Sequence, residues 1–250
     1  MRIDRLKSME ELVINKGSAS LEELAEHFNV SINTIRRDLD ELLERGSIKK
    51  VYGGVVCCLP GDIVHREDLN ISAKQTIGSL AAQLIEDNST VFIDSGTTTA
   101  HVIPFLSNKT NVTIITNSLK AMIETSKYSN LKLLAIGGYF NPSRFSFVGA
   151  DTIESMAKLN FDKVLIGTTN VSLTNGLSIN SHFEVDIKRW LVKNFKGKIT
   201  LLADSDKFDK SALYSFCNFD DVSTIVSDRQ LPQNYIQRMA ANGITFVCPE

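Results

Sequence analysis

The chain has few residues that could hold a metal ion or cross-link a small fold. Four cysteines and four histidines are scattered over 250 residues, without the paired spacing of a zinc site. The adjacent Cys57 and Cys58 do not fit a disulfide framework. We therefore expect reduced thiols, no metal site and no cofactor.

Long apolar runs are also missing. No stretch approaches the roughly 20 apolar residues that a membrane-spanning helix needs. The N-terminus alternates charged and apolar residues, which does not fit a signal peptide. A net charge of −2 gives no global sign of a polyanionic partner, and 43% hydrophobic residues are enough for a real core. These features favour a cytoplasmic protein of one large or two smaller domains, with no membrane partner.

Residues 31–39 have the pattern of a helix together with its start signal. The Ser31 hydroxyl suits an N-cap, where it accepts a hydrogen bond from an otherwise unpaired helical N–H. Apolar side chains recur at helical spacing and form one stripe: Ile32, Ile35, Leu39 and Leu42. Polar side chains occupy the opposite face: Asn33, Thr34 and Arg37, with Arg36 at its flank. Such a helix suits the major groove of DNA.

The flanking segments fit a small DNA-binding domain. Helical patterns at about 2–15 and 20–28 precede residues 31–39, and a tight turn before the last helix indicates a helix-turn-helix. Residues 47–56 are typical of two short strands around a Gly53-Gly54 turn, which forms a wing. Either the wing lays basic side chains along the phosphate backbone, or it only closes the core of the domain.

The charge of the first 56 residues tempers this interpretation. Nine Lys and Arg stand against ten Asp and Glu, a net charge of −1, whereas a DNA-binding domain is usually strongly basic. The charges are segregated, because Arg36, Arg37, Lys49 and Lys50 lie on the expected docking surface. We therefore expect DNA binding with a strong salt dependence and a modest nonspecific affinity.

Two linked motifs carry a family resemblance. The motif Ser31-x-x-Thr34-Ile35-Arg36-Arg37-Asp38-Leu39, followed by Lys50-Val51-Tyr52-Gly53-Gly54, resembles the signature of DeoR-type bacterial transcription regulators. The resemblance implies a winged helix-turn-helix reader of double-stranded operator DNA and a C-terminal sensor for a phosphorylated sugar or polyol. The expected DNA-binding residues are Ser31, Asn33, Thr34, Arg36, Arg37, Lys49, Lys50 and Tyr52.

We place the domain boundaries where the pattern of apolar and charged residues along the sequence changes. We predict the DNA-binding domain at 1–56, a linker at 57–70 and the sensor domain at 71–250. Because one recognition helix reads only a few base pairs, we also expect a homodimer or homotetramer.

Beyond residue 71, apolar strands alternate with amphipathic helices. The candidate strands are 91–94, 112–116, 132–136, 163–167, 198–203, 224–227 and 245–248. This order predicts an α/β fold with a mainly parallel, Rossmann-like sheet covered on both faces. Ligands of such sheets bind beyond the carboxyl ends of the strands, where this chain has polar loops.

Several of these loops could bind a phosphorylated sugar. The hydroxyl-rich turn at 94–99 suits a phosphate, or it simply caps a helix. Residues 116–118 could bond sugar hydroxyls or cap the next helix. Arg144 and Lys207 could each neutralise an anion or be solvated surface charges. The expected effector-binding residues are Asp94, Ser95, Gly96, Thr97, Thr98, Thr99, Thr116, Asn117, Gly137, Gly138, Arg144, Glu184 and Lys207.

Three motifs of the second half also resemble the DeoR C-terminal domain: Ser95-Gly96-Thr97-Thr98-Thr99, Gly137-Gly138 and Asp204-Ser205-x-Lys207. That domain is similar to sugar-phosphate isomerases of the ribose-5-phosphate type. In those enzymes, acidic residues follow the strand that corresponds to 163–167. This chain has Thr168-Thr169-Asn170 there, and Glu184 is either a sugar-hydroxyl acceptor or a helix-face charge. The difference favours binding without turnover, so we expect no catalytic residues and no enzyme.

The resulting expectation is a sequence-specific transcriptional regulator, a repressor of a carbohydrate or polyol catabolic operon that a phosphorylated sugar intermediate releases. The whole chain is similar to repressors of sugar and inositol catabolism. A sugar-phosphate isomerase that retains activity is the alternative. A small-molecule-binding module with no DNA role is the third possibility.

Overall fold

The computed structural model describes residues 2–16, 18–45, 48–57 and 69–249. The chain divides into two compact units, Met1–Leu69 and Asn70–Glu250, and each is described by itself. Most of the expected linker lies outside the described residues, as do Gly46 and Ser47 at the expected entry to the wing. The exact domain boundaries therefore stay a prediction.

The first unit combines three described helices with a small antiparallel sheet. Its elements are α1 (Arg2–Lys16), β1 (Ser18–Ser20), α2 (Leu21–His27), α3 (Ile32–Arg45), β2 (Ile48–Val51) and β3 (Gly54–Cys57). The strand order is β1-β3-β2. The helices and the wing match the expected winged helix-turn-helix. Strand β1 was not predicted, because three residues of Ser and Ala carry no strand signal.

The wing turn differs from the expected Gly-Gly turn. The turn lies at Tyr52 and Gly53, and Gly53 has a φ of +80°. Gly54 instead begins β3, opposite Ser20 of β1. A Cβ atom on Gly54 would lie 2.3 Å from the carbonyl oxygen of Ala19. The second glycine is therefore required by the close approach of β1.

The second unit is built on a seven-stranded parallel sheet. Its strand order is β15-β14-β12-β9-β4-β5-β6. The strands are β4 (Thr90–Ile93), β5 (Val112–Thr116), β6 (Leu131–Ala135), β9 (Lys163–Gly167), β12 (Ile199–Leu202), β14 (Thr224–Val226) and β15 (Thr245–Val247). All seven predicted strands are present, and each end lies within one residue of its expected position. The predicted parallel α/β fold is confirmed.

Helices cover this sheet, and smaller β elements flank it. The helices are α4 (Ile71–Gln83), α5 (Thr97–Ala100), α6 (Leu119–Thr125), α7 (Ala150–Ala157), α8 (His182–Asn194) and α9 (Gln233–Ala241). Strands β7 (Tyr139–Asn141) and β8 (Ser146–Val148) form a hairpin. Strands β10 (Asn170–Ser172), β11 (Gly176–Ile179) and β13 (Tyr214–Cys217) form a second antiparallel sheet. Short 3₁₀ turns span Ile103–Leu106, Ser205–Lys207 and Phe219–Asp221.

Alternate residues of the strands belong to two hydrophobic clusters, one on each face of the parallel sheet. Phe92 and Val164 pack in the cluster that contains Leu191 of α8 and Tyr235 of α9. Val91, Ile93 and Leu165 belong to the cluster that contains Ile77 and Ala81 of α4. Because side chains alternate along a strand, a sheet buried on both faces needs apolar residues in succession. This requirement explains the nearly continuous apolar runs in the sequence.

Among the described residues, no helix is both long enough and apolar enough to cross a membrane. The same residues contain no group of three or more His, Cys, Asp or Glu placed to hold a metal ion.

Candidate functional site

Helix α3 exposes most of the side chains expected to read DNA, whereas Thr34 is half-buried with its hydroxyl oxygen 3.0 Å from that of Ser31. The Ser31 hydroxyl accepts a hydrogen bond from the Thr34 backbone N–H at 3.2 Å, so Ser31 is the N-cap. Asn33, Arg36 and Arg37 are exposed. The apolar stripe faces inward, because Ile35 and Leu42 are fully buried and Leu39 nearly so. The helix therefore has the two-faced arrangement that its sequence predicted.

Asp38 of the same helix has a role that the sequence analysis missed. Its side chain is 2% exposed and accepts a hydrogen bond at 2.7 Å from Nε of Arg5 on α1. This hydrogen bond raises the pKa of the Arg5 guanidinium. The signal was present in the sequence, since Asp38 lies between Ile35 and Leu39 on the apolar side. The pair anchors α3 to α1, which holds the recognition helix in place.

The wing presents its tip to solvent. Lys50 and Tyr52 are exposed, and Lys49 is half-buried. Val55 of β3 is fully buried, so the hairpin also contributes to the core of the small unit. The two alternatives for the wing are thus compatible, because inward residues pack and outward residues remain available.

In the second unit, the loop after β4 is joined to the end of β9. Asp94 is 1% exposed and accepts a hydrogen bond from the Gly167 N–H at 3.0 Å. Its carboxylate also pairs with the buried ammonium of Lys188. Lys188 donates a second hydrogen bond to the Gly167 carbonyl at 2.8 Å. These contacts fix two neighbouring strand ends against α8.

Glu184 lies in the same group of strand-end side chains. Its Oε1 accepts a hydrogen bond from the Ser95 hydroxyl at 2.7 Å and from the Ser146 hydroxyl at 3.4 Å. Arg144 Nε lies 3.7 Å from Glu184 Oε2. Arg144 and Glu184 are both more than nine-tenths buried. Neither side chain is therefore the solvated surface charge that the sequence left open.

Lys207 reaches the hydroxyl-rich turn from the loop after β12. Its Nζ lies 3.4 Å from the Thr98 hydroxyl oxygen and 3.2 Å from Asp204 Oδ2. The Lys207 side chain is 15% exposed, so it is not a freely solvated lysine. Loops after two strands that are separated in the sequence by more than a hundred residues thus meet at one place.

The hydroxyl groups of other expected site residues form hydrogen bonds to the backbone. The Thr99 hydroxyl donates to the backbone carbonyls of Asp94 and Gly96, both at 2.7 Å. The Thr116 hydroxyl donates to the Ile93 carbonyl at 2.6 Å and accepts from the Ser118 N–H. These hydroxyls brace the turns after β4 and β5. Thr97 is likewise buried within the first of these turns.

Asn117 combines a structural contact with an unsatisfied one. Its Nδ2 donates to the Phe147 carbonyl at 2.8 Å. Its Oδ1 is buried and has no hydrogen-bond partner in the described part of the chain. Ser118 caps α6 by accepting from the Ala121 N–H at 3.3 Å. Of the two interpretations of residues 116–118, helix capping is thus observed. The buried Oδ1 of Asn117 remains as a hydrogen-bond acceptor beside the cap.

Gly137 and Gly138 connect β6 to the hairpin. The Gly137 carbonyl accepts a hydrogen bond from the Thr152 hydroxyl at 2.9 Å. Gly138 has a φ of +141°, and a Cβ atom there would lie 2.1 Å from the same hydroxyl oxygen. Both glycines are exposed. Their structural role is a tight connection against α7.

The segment after β9, Thr168-Thr169-Asn170, contains no acidic residue. The Thr168 hydroxyl donates to the carbonyls of Asn170 and Ser178, both at 2.9 Å. The buried Lys188 was missed by sequence reasoning. Its signal was the spacing of four residues from Glu184 on a helix whose inner side also carries Leu191.

A cavity of about 600 Å³ lies away from these loops. It is lined by Phe161, Trp190 and Phe195, among others, at the amino ends of β9 and β12. The side chains described above form a strand-end group that consists of Asp94, Ser95, Thr98, Arg144, Glu184 and Lys207. This group lies at the opposite, carboxyl end of the sheet, where parallel α/β sheets bind ligands. We therefore assign the candidate effector site to the strand-end group.

Comparison with known proteins covers both units. The DeoR-like helix-turn-helix domain matches residues 5–60, and the DeoR C terminal sensor domain matches residues 69–229. The HTH-type transcriptional regulator IolR of Bacillus subtilis is 39% identical over 95% of each chain. The glycerol-3-phosphate regulon repressor of Escherichia coli is 30% identical over 94% of each chain.

The similar solved structures are more distant. Ribose 5-phosphate isomerase from Plasmodium falciparum has a TM-score of 0.39 and 16% identity, covering 55% of this chain and 52% of that chain. At this distance the likeness carries no argument about activity. The two domain matches and the full-length relatives show that the chain belongs to the DeoR family of transcriptional regulators, with a helix-turn-helix DNA-binding domain and a C-terminal sensor domain.

Proposed function

We propose that this regulator is a repressor of a carbohydrate or polyol catabolic operon, and that a phosphorylated sugar or polyol releases it from its operator. The observation that carries the effector assignment is the meeting of Lys207 with Thr98 at 3.4 Å. An ammonium group beside a buried hydroxyl suits a phosphate oxygen, because charge-assisted hydrogen bonds are stronger than neutral ones.

The neighbouring groups suit the rest of such a ligand. Glu184 accepts hydrogen bonds from two hydroxyls, so sugar or polyol hydroxyls can replace them as donors. The buried Oδ1 of Asn117 offers a further acceptor. The E. coli relative is the repressor of the glycerol-3-phosphate regulon, which supports a phosphorylated polyol as one candidate effector.

On the DNA side, we assign base reading to Asn33, Thr34 and Arg37, and phosphate contacts to Arg36 and the wing. Ser31, Lys49, Lys50 and Tyr52 complete this surface. The exposure of the arginines and of the wing tip supports the assignment. A homodimer or homotetramer in the cytoplasm would present two such helices to repeated half-sites.

We also propose that the sensor domain is not an enzyme. An isomerase needs a base for the proton beside the carbonyl. Glu184 is the candidate base, and its carboxylate is already engaged by Ser95 and lies beside Arg144. A coupled isomerisation assay over pentose and hexose phosphates tests this point. Turnover by the purified protein that Glu184→Gln abolishes would contradict the proposal.

The effector class is tested in two steps. A thermal-shift screen over sugar and polyol phosphates, each paired with its unphosphorylated parent, identifies the ligand, because a ligand that binds the folded state raises apparent stability. The ligand is then titrated into the operator complex. We expect the phosphorylated compound alone to stabilise the protein and to release the operator. Equal effects of the unphosphorylated parent would contradict the phosphate assignment.

A further inference from the structure

Strand β6 lacks the cover that the inner strands of its sheet have. It stands at one edge of the sheet and pairs with β5 alone. Four of its five residues are exposed, whereas β12 and β14 are entirely buried. Leu133 and Leu134 are 39% and 38% exposed, and they point to opposite faces because they are consecutive in a strand. Parallel sheets normally have both faces covered.

The β7–β8 hairpin extends this apolar surface. It follows β6 after three residues, and Tyr139 is 68% exposed. Phe140 and Phe145 are also exposed, and their ring centroids lie 6.3 Å apart. Phe145 has a φ of +49°, a left-handed conformation that is costly for a bulky side chain. This backbone places Phe145 at the surface between the buried Arg144 and Ser146.

The segment that forms β6 and the hairpin contains few charged residues. Between residues 131 and 150 the only charged side chains are Lys132 and Arg144, and Arg144 is buried. Lys132 reaches sideways to Asn111, to which its Nζ donates at 2.7 Å. A lysine that protects an exposed strand edge against pairing with another chain usually points into solvent. Depletion of charge together with exposed aromatic rings is typical of the core of a protein interface.

We propose that a second copy of this chain covers the edge formed by β6 and the β7–β8 hairpin. The five apolar side chains expose roughly 500 Å² in total on the two faces and the free side of this edge. This is more than half of the ~800 Å² that each partner of a stable complex contributes. This inference rests on the proposed function, which requires two recognition helices.

The binding of paired DNA half-sites favours a second copy of the same chain as the partner. Paired half-sites call for a two-fold dimer, and a two-fold interface uses the same patch on both subunits. An uncovered strand edge suits this, because its unpaired backbone groups can bond to the same groups of a second copy. A net charge of −2 on the chain offers little repulsion against self-association.

This surface and the effector site share one hairpin. Its inner side supplies Arg144 and Ser146 to Glu184. Its outer side carries the aromatic rings of Phe140 and Phe145. A dimer formed on this edge therefore connects the sensor pocket to the subunit arrangement through a single structural element.

The test measures the assembly of the full chain by sedimentation velocity, without DNA or sugar phosphate. The variants are Leu134→Glu in β6 and Tyr139→Glu in the hairpin. Leu213→Glu is the matched control, since Leu213 is 73% exposed and lies outside this edge. We expect both edge variants to raise the dissociation constant of the assembly at least about tenfold, because a buried unpaired charge is costly. The control should stay within about twofold.

Three results would overturn the inference. The first is a monomeric wild-type chain at ~10 μM, a concentration at which typical specific dimers persist. The others are unchanged assembly in both edge variants and an equal loss of assembly in the Leu213→Glu control. Reduction of a tetramer to a dimer by the edge variants supports it. Tyr139→Glu guards against misfolding of the β6 variant, since its side chain is already largely in solvent, and circular dichroism checks both folds. Unchanged assembly in both edge variants would overturn this interface alone, whereas a monomeric wild-type chain would also contradict the oligomer of the proposed function.

Discussion

Arg144 of the β7–β8 hairpin lies 3.7 Å from Glu184 of α8, although the two buried residues are 40 positions apart in the sequence. Their charges complement each other in the structure as described. A ligand with both a phosphate and hydroxyl groups offers each of them a new partner. The pair is thus placed to respond to an effector by exchanging partners.

Replacing Arg144 tests this role. We expect Arg144→Gln to require at least about tenfold more effector for operator release, because a hydrogen bond to a charged group is worth ~1.5–3 kcal/mol. Operator affinity without effector should stay near the wild-type value. The measurement is a fluorescence anisotropy titration of effector into the operator complex. Arg189→Gln is the control, since Arg189 is exposed on the same helix as Glu184. An unchanged response in Arg144→Gln would remove Arg144 from the site.

The meeting of Lys207 and Thr98 gives a second prediction. Lys207→Ala and Thr98→Ala should each blunt the effector response and leave operator binding intact, because both alter the proposed phosphate position only. Gel shifts with and without effector measure both properties. Lys210→Ala is a matched control, because Lys210 is exposed three residues further on. Operator release at unaltered effector concentrations in both variants would contradict the phosphate assignment.

The two arginines of α3 are predicted to act differently. Arg37→Ala should lose ~1–3 kcal/mol of specific binding and relax base preference at one position, since it removes a base contact. Arg36→Ala should weaken binding to all sequences alike and lower the salt slope by about 1, since it removes a phosphate contact. Competition binding at several salt concentrations separates these effects. If Arg37→Ala leaves specificity unchanged at constant salt, the recognition-helix assignment is wrong.

The two glycines of the wing provide a stability test within one turn. Gly54→Ala should destabilise the first unit by ~1–3 kcal/mol, because its Cβ would overlap the Ala19 carbonyl and force β1 away from β3. Gly53→Asn should be nearly neutral, because no atom lies within 4 Å of the added Cβ and Asn tolerates positive φ. Chemical denaturation measures both. Equal stability of the two variants would show that β1 does not constrain Gly54.

Thiol reactivity gives a pH-dependent prediction. Burial raises the pKa of the Cys217 thiol to about 12, and the nearby Asp221 carboxylate contributes in the same direction. The thiolate is the reactive form, so native Cys217 should resist alkylation at pH 8 and react quickly in denaturant, where its pKa returns to about 8.5. Because the folded chain holds this proton more tightly, its contribution to stability declines as pH rises from about 8.5 toward 12.

Peptide-level mass spectrometry after alkylation with iodoacetamide measures the rate at each cysteine. Cys248 serves as the internal comparison, because burial also raises its pKa. Equal labelling rates of Cys217 in the native and denatured chain at pH 8 would contradict the burial argument.

Local patterns were sufficient for the recognition helix and the parallel sheet. Ser31 and the stripe through Ile35 and Leu39 fixed the start and the inner face of α3, because capping and helical periodicity depend on near neighbours. The same information failed for β1, which pairs with β3 where Gly54 allows close approach. It also failed for the β7–β8 hairpin, where Phe145 adopts a left-handed conformation that no sequence rule assigns to phenylalanine.

The amino-acid sequence by itself determined the recognition helix, the strands of the parallel sheet, the polar turns at the strand ends and the membership of the family, since these follow from the spacing of residues along the chain. Only the tertiary structure decided which polar groups meet. Ser95 reaches Glu184 across 89 residues of sequence, and Lys207 reaches Thr98 across 109. Such contacts depend on the order of strands in the sheet, which brings the ends of distant strands together and which no local periodicity encodes.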